Sequence, residues 1–282
     1  MPLIIHDNSS YDAIRREYVS RYREIIAFEK EQFDVLLNAL IEQYDSIEKD
    51  FNQASTLVKF WLRYPPQQRG YKPTEESFPW GEVGEKVLDA YLYKIFYTKY
   101  NNPRFIGLPY GHDSRFVSED AFIQIDTKST GPNDNPDEVV SSPNQVTGDG
   151  LYCDSHGVYN SPVEVVGPRA VLHFQPELPP FYVVDGKPRL TLTFYLKCVY
   201  SVVSKGNQPL HHLELICVPN GILMFDTMKY GSRKGLLTPG KDEVNAKHKR
   251  TRIKLDPLAR IEKWRCVKIY RDASGQIKKG YR

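Results

Sequence analysis

Between Leu3 and Tyr64 the chain has neither proline nor glycine. Its apolar residues return there at steps of three and four: Ile14, Tyr18, Tyr22, Ile25, Phe33, Leu37, Leu40, Tyr44, Ile47 and Phe51. That spacing predicts amphipathic helix, one long or two in succession, with Ser10 placed to cap the start. Its expected role is core packing or a subunit contact. Residues 64–80, YPPQQRGYKPTEESFPW, are rich in proline and polar residues and read as a loop. A further helix is predicted over GEVGEKVLDAYLYKIFYTKY, with Val83, Val87, Leu88, Tyr91 and Ile95 on one side.

Beyond it the period shortens and strands are expected at 105–109, 121–128, 190–203, 213–218 and 222–225. Residues 129–180 are rich in Pro, Gly and Asn and carry few strand signals. A connection of that length inside a domain is usually functional or bears insertions of its own. The order of helices, mixed strands and a basic end predicts an α/β fold with a central mixed β-sheet flanked by helices. No internal boundary is evident, so 1–282 is expected to form one domain. Its parts are a helical 1–64, a core over 80–228 and a basic segment over 229–282.

Composition changes this picture in two places. Four cysteines, Cys153, Cys198, Cys217 and Cys266, lie far apart without a CxxC, which favours reduced, buried thiols over disulfides or a zinc site. No apolar run is long enough to span a bilayer and the N-terminal one is too short for a signal peptide, so a cytoplasmic location is expected. Net charge is only +3, yet Lys229 to Arg282 holds 17 Lys and Arg against 5 Asp and Glu. Such an end can be a face for a polyanion or simply a solvated tail.

The candidate chemistry lies in FIQIDTKSTGP. Alternation along a strand puts Asp126 and Lys128 on one face with Phe122 and Gln124, and Ile123, Ile125 and Thr127 on the other. Asp113 precedes them in GLPYGHDSRF, and a hairpin through SRFVSED would bring it beside Asp126. Two carboxylates converge at acceptable cost when a cation lies between them, and oxygen ligands suit Mg²⁺. Lys128 would then face a phosphate oxygen. Asp and Lys two apart also occur by chance, as an ion pair at a strand end.

Several short stretches in one order narrow the choice: RYPPQQRG, PWGEVGEK, GLPYGHDSR, IDTKSTGPND, SPNQVTGDG, VPNG, and PGKDE followed by KRTRI. In these the chain resembles the type II restriction endonucleases of the PD-(D/E)XK nuclease superfamily. The resemblance implies a restriction-endonuclease-like core acting as a homodimer on double-stranded DNA, at an interrupted GC-rich palindrome. It implies metal ligation by Asp113, Asp126 and the carbonyl of Thr127, with Lys128 catalytic and Mg²⁺ as cofactor, two ions per active site. It also implies base reading by Asp134, Lys241, Glu243 and Arg250, with Arg252 close by. Glu243 stands where the family pattern has Asp, and His112 precedes Asp113 where many such enzymes have Pro.

Asn144 and Gln145 are further candidates for DNA contact, though their segment also suits a turn. Lys247, Lys249 and Lys254 read better as phosphate contacts. Glu82 and Glu85 suit either a second metal or the positive end of their helix. His211 and His212 lack a metal-ligand partner at useful spacing and are expected at the surface. Two other readings of the whole are a structure-specific repair nuclease with the same core and a DNA-binding protein without catalysis.

Overall fold

The computed structural model describes residues 8–54, 80–105, 114–154, 156–168, 171–203, 207–226, 235–240 and 249–282. The N-terminal periodicity resolves into two helices, α1 (Asn8–Ser20) and α2 (Tyr22–Ala54), interrupted at Arg21. Ser10 lies inside the first turn of α1 and does not precede it as a cap, because helical hydrogen bonding begins two residues earlier. The third helix, α3 (Trp80–Lys99), follows its predicted span closely. The expected loop before it and the expected strand at 105–109 lie outside the described residues, except at their ends.

The strands in chain order are β1 (Arg104–Phe105), β2 (Ser114–Val117), β3 (Ala121–Thr130), β4 (Glu138–Ser141), β5 (Tyr152–Asp154), β6 (Gly157–Tyr159), β7 (Val163–Val166), β8 (Val171–Phe174), β9 (Phe181–Val184), β10 (Lys187–Tyr200) and β11 (Leu210–Val218). After them come β12 (Leu237–Pro239), β13 (Thr251–Lys254), the short helix α4 (Leu255–Ile261), β14 (Cys266–Arg271) and β15 (Ile277–Tyr281). Among the described residues one mixed sheet runs β1-β2-β3-β10-β11-β14-β15, with β9 added alongside β10. Within that sheet, among the described residues, only β3 and β10 pair in parallel. A second sheet, β12-β13-β4, is antiparallel.

Three layers result. Ile123, Ile125, Phe194 and Leu196 on one face of the large sheet join Phe33, Leu40 and Tyr44 of α2 and Leu88, Leu92 and Phe96 of α3 in a single cluster. Tyr195, Ile216 and Val218 on the other face pack with Val139 of β4, Ile253 of β13 and Leu258 of α4. Both faces of β3 are therefore covered, as is usual for a strand in parallel pairing. Gly84 of α3 permits the close approach of helix to helix, since a Cβ there would come within 2.6 Å of the Phe51 ring.

Three further expectations differ from what the structure shows. Residues 222–225 are not a strand: Ile222–Asp226 form a single π-helical turn. Asn220 starts it, its side-chain oxygen accepting from Ile222 N at 3.0 Å and its carbonyl from Leu223 N at 2.9 Å. The 129–180 stretch carries more strand than its composition suggested, namely β4 and the hairpins β5–β6 and β7–β8. His212 is not at the surface but 8% exposed within β11, its Nδ1 2.7 Å from that of His211. The four cysteines are reduced and buried as expected. No helix among the described residues is long and apolar enough to cross a membrane.

A buried ion pair ties the helical layer to the sheet. Glu29 of α2 accepts from Arg265 Nη2 and from the backbone N of Asn220, each at 2.6 Å. Burial pushes the Glu29 carboxyl up against the downward pull of Arg265. Removing Glu29 takes away a fully buried partner of Arg265, whose Nε keeps the part-exposed Glu262 at 3.2 Å, so Glu29→Ala is expected to cost about 3 kcal/mol in urea unfolding. A loss below about 1 kcal/mol, the range of exposed pairs, would show the pair to be dispensable. Burial, followed by the neighbouring Lys268 and His211, pushes His212 down to about 3 from its ordinary 6.5. The unfolded chain thus takes up a proton below pH 6.5 that the native chain refuses, and stability falls as pH drops from 6.5 toward 3. The thermal midpoint of the native chain is expected to fall more steeply over that window than that of His212→Gln.

Candidate active site

β2 and β3 form an antiparallel hairpin in which Ser114 stands opposite Ile125. Asp113, the residue before β2 begins, lies outside the described residues, as do Lys241, Glu243, Lys247 and the side chain of Glu82. Alternation along β3 is as the sequence predicts. Thr127 points to the helical layer, where its hydroxyl donates to Asp89 of α3 at 3.2 Å. Gln124, Asp126 and Lys128 point the other way.

On that face Asp126 is 6% exposed and Lys128 has 29% of its side chain exposed. The Lys128 ammonium contacts Asp126 Oδ2 directly. A second donor reaches the same oxygen, the amide of Gln145 at 2.9 Å. Gln145, expected at DNA, is thus turned inward, and the polar residues at this end of β3 are held from the second layer rather than left to solvent. The parallel neighbour of Asp126 on β10 is Tyr195, whose hydroxyl contacts Ser141 of β4. The neighbour of Lys128 is Lys197, which is buried and donates to the carbonyl of Pro136 at 2.7 Å. Burial lowers the pKa of Lys197, against the pull of Glu214, 3.8 Å away. No sequence signal marked Lys197, a cation hidden in an otherwise apolar strand run.

The candidate DNA readers fall on the second sheet and the loop leading to it. Asp134 closes a turn with Gly131, accepting from Gly131 N at 2.8 Å. Beyond that turn β4 pairs with β13, with Val140 opposite Arg252 and Glu138 opposite Lys254. Glu138 receives both cations at once, Arg252 on one oxygen and Lys254 on the other. The backbone carbonyl of Arg250 accepts from Gly240 N at 2.9 Å, closing the ladder of β12 and β13. Asp134, Glu138, Gly240, Arg252 and Lys254 line one cleft of about 650 Å³. The structure therefore gathers Asp134 and Arg252 at one cleft and Asp126, Lys128 and Gln145 at one strand end, with Asn144 beside the latter.

The basic end of the chain is less free than its count suggests. Arg271 pairs with Asp45 at 2.5 Å and Glu48 at 2.6 Å on α2. Arg282 bridges Glu214 at 2.9 Å and Asp256 at 2.7 Å, and also contacts Asp137. Part of the positive charge thus joins elements of the protein to one another.

Known proteins resemble this chain in sequence and fold. The family described as restriction endonuclease BglI matches residues 6–269. The type II restriction enzyme BglI of Bacillus subtilis is 33% identical over 252 residues, which span 80% of this chain and 84% of that enzyme. The crystal structure of BglI bound to its DNA recognition sequence superposes with a TM-score of 0.81 at 29% identity, covering 93% of this chain and 96% of that one. The tetrameric restriction endonuclease SfiI, solved with cognate DNA, shares the fold at a TM-score of 0.53 and 13% identity, over 92% of this chain and 94% of that one. A chain matched over almost its whole length in both sequence and fold belongs to the BglI restriction endonuclease family and is a type II site-specific deoxyribonuclease.

Proposed function

We propose that the enzyme cuts double-stranded DNA at an interrupted GC-rich palindrome, as a homodimer and with Mg²⁺ as cofactor. The single observation that carries the reading is the convergence of Asp126 and Lys128 on one face at the end of β3. Asp113 immediately precedes β2, whose first residue lies opposite Ile125, and this supports its joining Asp126 as the second carboxylate. Cytoplasmic action fits a host enzyme directed at DNA.

Among the described residues no three of His, Cys, Asp and Glu gather to hold a metal ion. The Asp126 carboxylate and the Thr127 carbonyl are nevertheless hard oxygen donors, and Asp113 would add a third, which suits Mg²⁺ rather than zinc. Two ions per site are proposed on the same donors. When bound, Mg²⁺ activates water and offsets charge on the phosphate. Lys128, partly exposed beside Asp126, donates to a non-bridging phosphate oxygen as negative charge grows there. Phe194 and Leu196, buried in the core, anchor the neighbouring strand β10 beside these groups.

Base reading is assigned to Asp134, Lys241, Glu243, Arg250 and Arg252, and Asn144, beside the end of β3, is assigned a DNA contact. Arginine and lysine suit guanine, and carboxylates accept from cytosine N4. Arg252 would exchange Glu138 for a base on binding. Lys254 contributes phosphate affinity at the same cleft. A two-fold target is read by a two-fold protein, one subunit cutting each strand. We assign 1–282 to one domain, its last strands β14 and β15 returning to the central sheet.

Digestion of a long DNA of known sequence with Mg²⁺ is expected to give discrete fragments whose ends map to GC-rich half-sites around an unread spacer. Lys128→Ala should lower the cleavage rate by about 100-fold or more while leaving DNA binding intact. A smear lost in the variant would point to a nuclease that does not read bases. DNA bound yet intact with every divalent ion would remove catalysis from the reading. Light scattering should find particles of twice the 32.6 kDa chain mass, and a monomer on cognate DNA would remove the dimer.

A further inference from the structure

The geometry assigns Gln145 as the positioning residue of Asp126, held in place by Arg115 through the carbonyl of Asn144. This rests on the reading of Asp126 as a metal ligand and adds a residue that the nuclease pattern does not contain.

Gln145 is 7% exposed, and both ends of its amide are engaged. Its oxygen accepts from Ser142 N at 2.9 Å, which leaves its nitrogen directed at Asp126 Oδ2, 2.9 Å away. The orientation of the amide is thereby set by the network, since a flipped amide would face two donors at one end and two oxygens at the other. The turn itself is rigid. Gln145 N donates to Ser142 O at 3.0 Å, Glu177 N to Pro143 O at 2.9 Å, and Leu178 N to Val146 O at 3.2 Å. Gly221 N donates to the Thr147 hydroxyl at 2.8 Å.

Arg115 closes the arrangement from the opposite side. It is 3% exposed on β2, one residue after Ser114, and its Nε donates to the Gln124 side chain. Its Nη2 donates to the carbonyl of Asn144 at 3.1 Å. Gln124 stands two residues before Asp126 on the same face of β3. A closed path therefore runs from Arg115 to Gln124, along β3 to Asp126, across to Gln145, and through Asn144 back to Arg115. Its members belong to three separate segments, so the carboxylate is fixed in direction as well as in place. Partners one step behind a ligand orient it and commonly change metal affinity or activity about 10- to 100-fold when lost.

The test compares the wild-type enzyme with Gln145→Met, which keeps volume but not the donor. Gln145→Asn, which draws the amide back by one methylene, serves if the first does not fold. Asp126→Asn stands beside them as the reference for the underlying reading. Three quantities are measured: the Mg²⁺ dependence of single-turnover cleavage, Mn²⁺ affinity of the DNA-bound enzyme by electron paramagnetic resonance, and DNA affinity without divalent ions. Gln145→Met is expected to cleave about 10- to 100-fold more slowly and to bind Mn²⁺ correspondingly more weakly. Its metal-free DNA affinity should stay within about two-fold, as for a side chain that does not touch DNA. Wild-type cleavage and Mn²⁺ affinity in Gln145→Met would overturn the inference. So would weakened metal-free DNA binding with an unchanged metal requirement, which would make Gln145 a DNA contact. If Asp126→Asn itself keeps Mn²⁺ affinity and cleavage, the failure lies in the reading of Asp126, and the inference falls with it.

Discussion

The parallel pairing of β3 with β10 is the constraint on which the rest of this protein depends. Parallel strands need both faces covered, because their connections lay other elements across the sheet. β3 meets that demand on the helical side with Ile123 and Ile125, which pack with α2 and α3. On the other side it presents Gln124, Asp126 and Lys128. A carboxylate 6% exposed is tolerable only when hydrogen-bonded and paired. The layer over this face and the sheet itself together answer this: Gln145 from that layer and Lys128 of β3 converge on Asp126, and Arg115 of β2 takes Gln124.

That layer is in turn locked by close backbone contact. A Cβ on Gly221 would lie 1.9 Å from the carbonyl oxygen of Gly148, so the VPNG turn and the SPNQVTGDG segment meet where no side chain fits. Asn220 reaches the carbonyls of Pro180 at 2.7 Å and Thr191 at 2.9 Å, and its N–H is taken by Glu29. The path from Glu29 on α2 through Asn220 and Gly221 to Thr147 ends two residues from Gln145. Helical layer, turn and acidic strand are thereby joined by hydrogen bonds between buried groups, each of which would be costly to leave unmade.

Charge follows the same logic of mutual satisfaction. Glu138 on β4 holds Arg252 and Lys254 of β13, and Lys197 beneath them takes the carbonyls of Pro136 at 2.7 Å and Glu138 at 3.3 Å. The loop bearing Asp134 therefore runs from β3, which carries the candidate chemistry, to β4, which pairs with the candidate reader strand β13, and the buried Lys197 fixes its far end.

Local pattern determined α1, α2, α3, β3, β10 and β11, because periodicities of 3.6 and 2 are properties of neighbouring residues. It also determined that Asp126 and Lys128 share a face, and the order of short motifs identified the family. What it left open depends on partners distant in sequence. Residues 222–225 are as apolar as a strand, yet the Asn220 side chain and the contact at Gly221 turn them into a helical loop. His212 looks polar in the chain and is buried because β11 pairs on both sides. Gln145, read from its segment as a DNA contact or part of a turn, faces Asp126 because Ser142, Arg115 and the backbone of Glu177 and Leu178 set its turn. Sequence patterns specify which face a residue takes; only tertiary structure decides what that face meets.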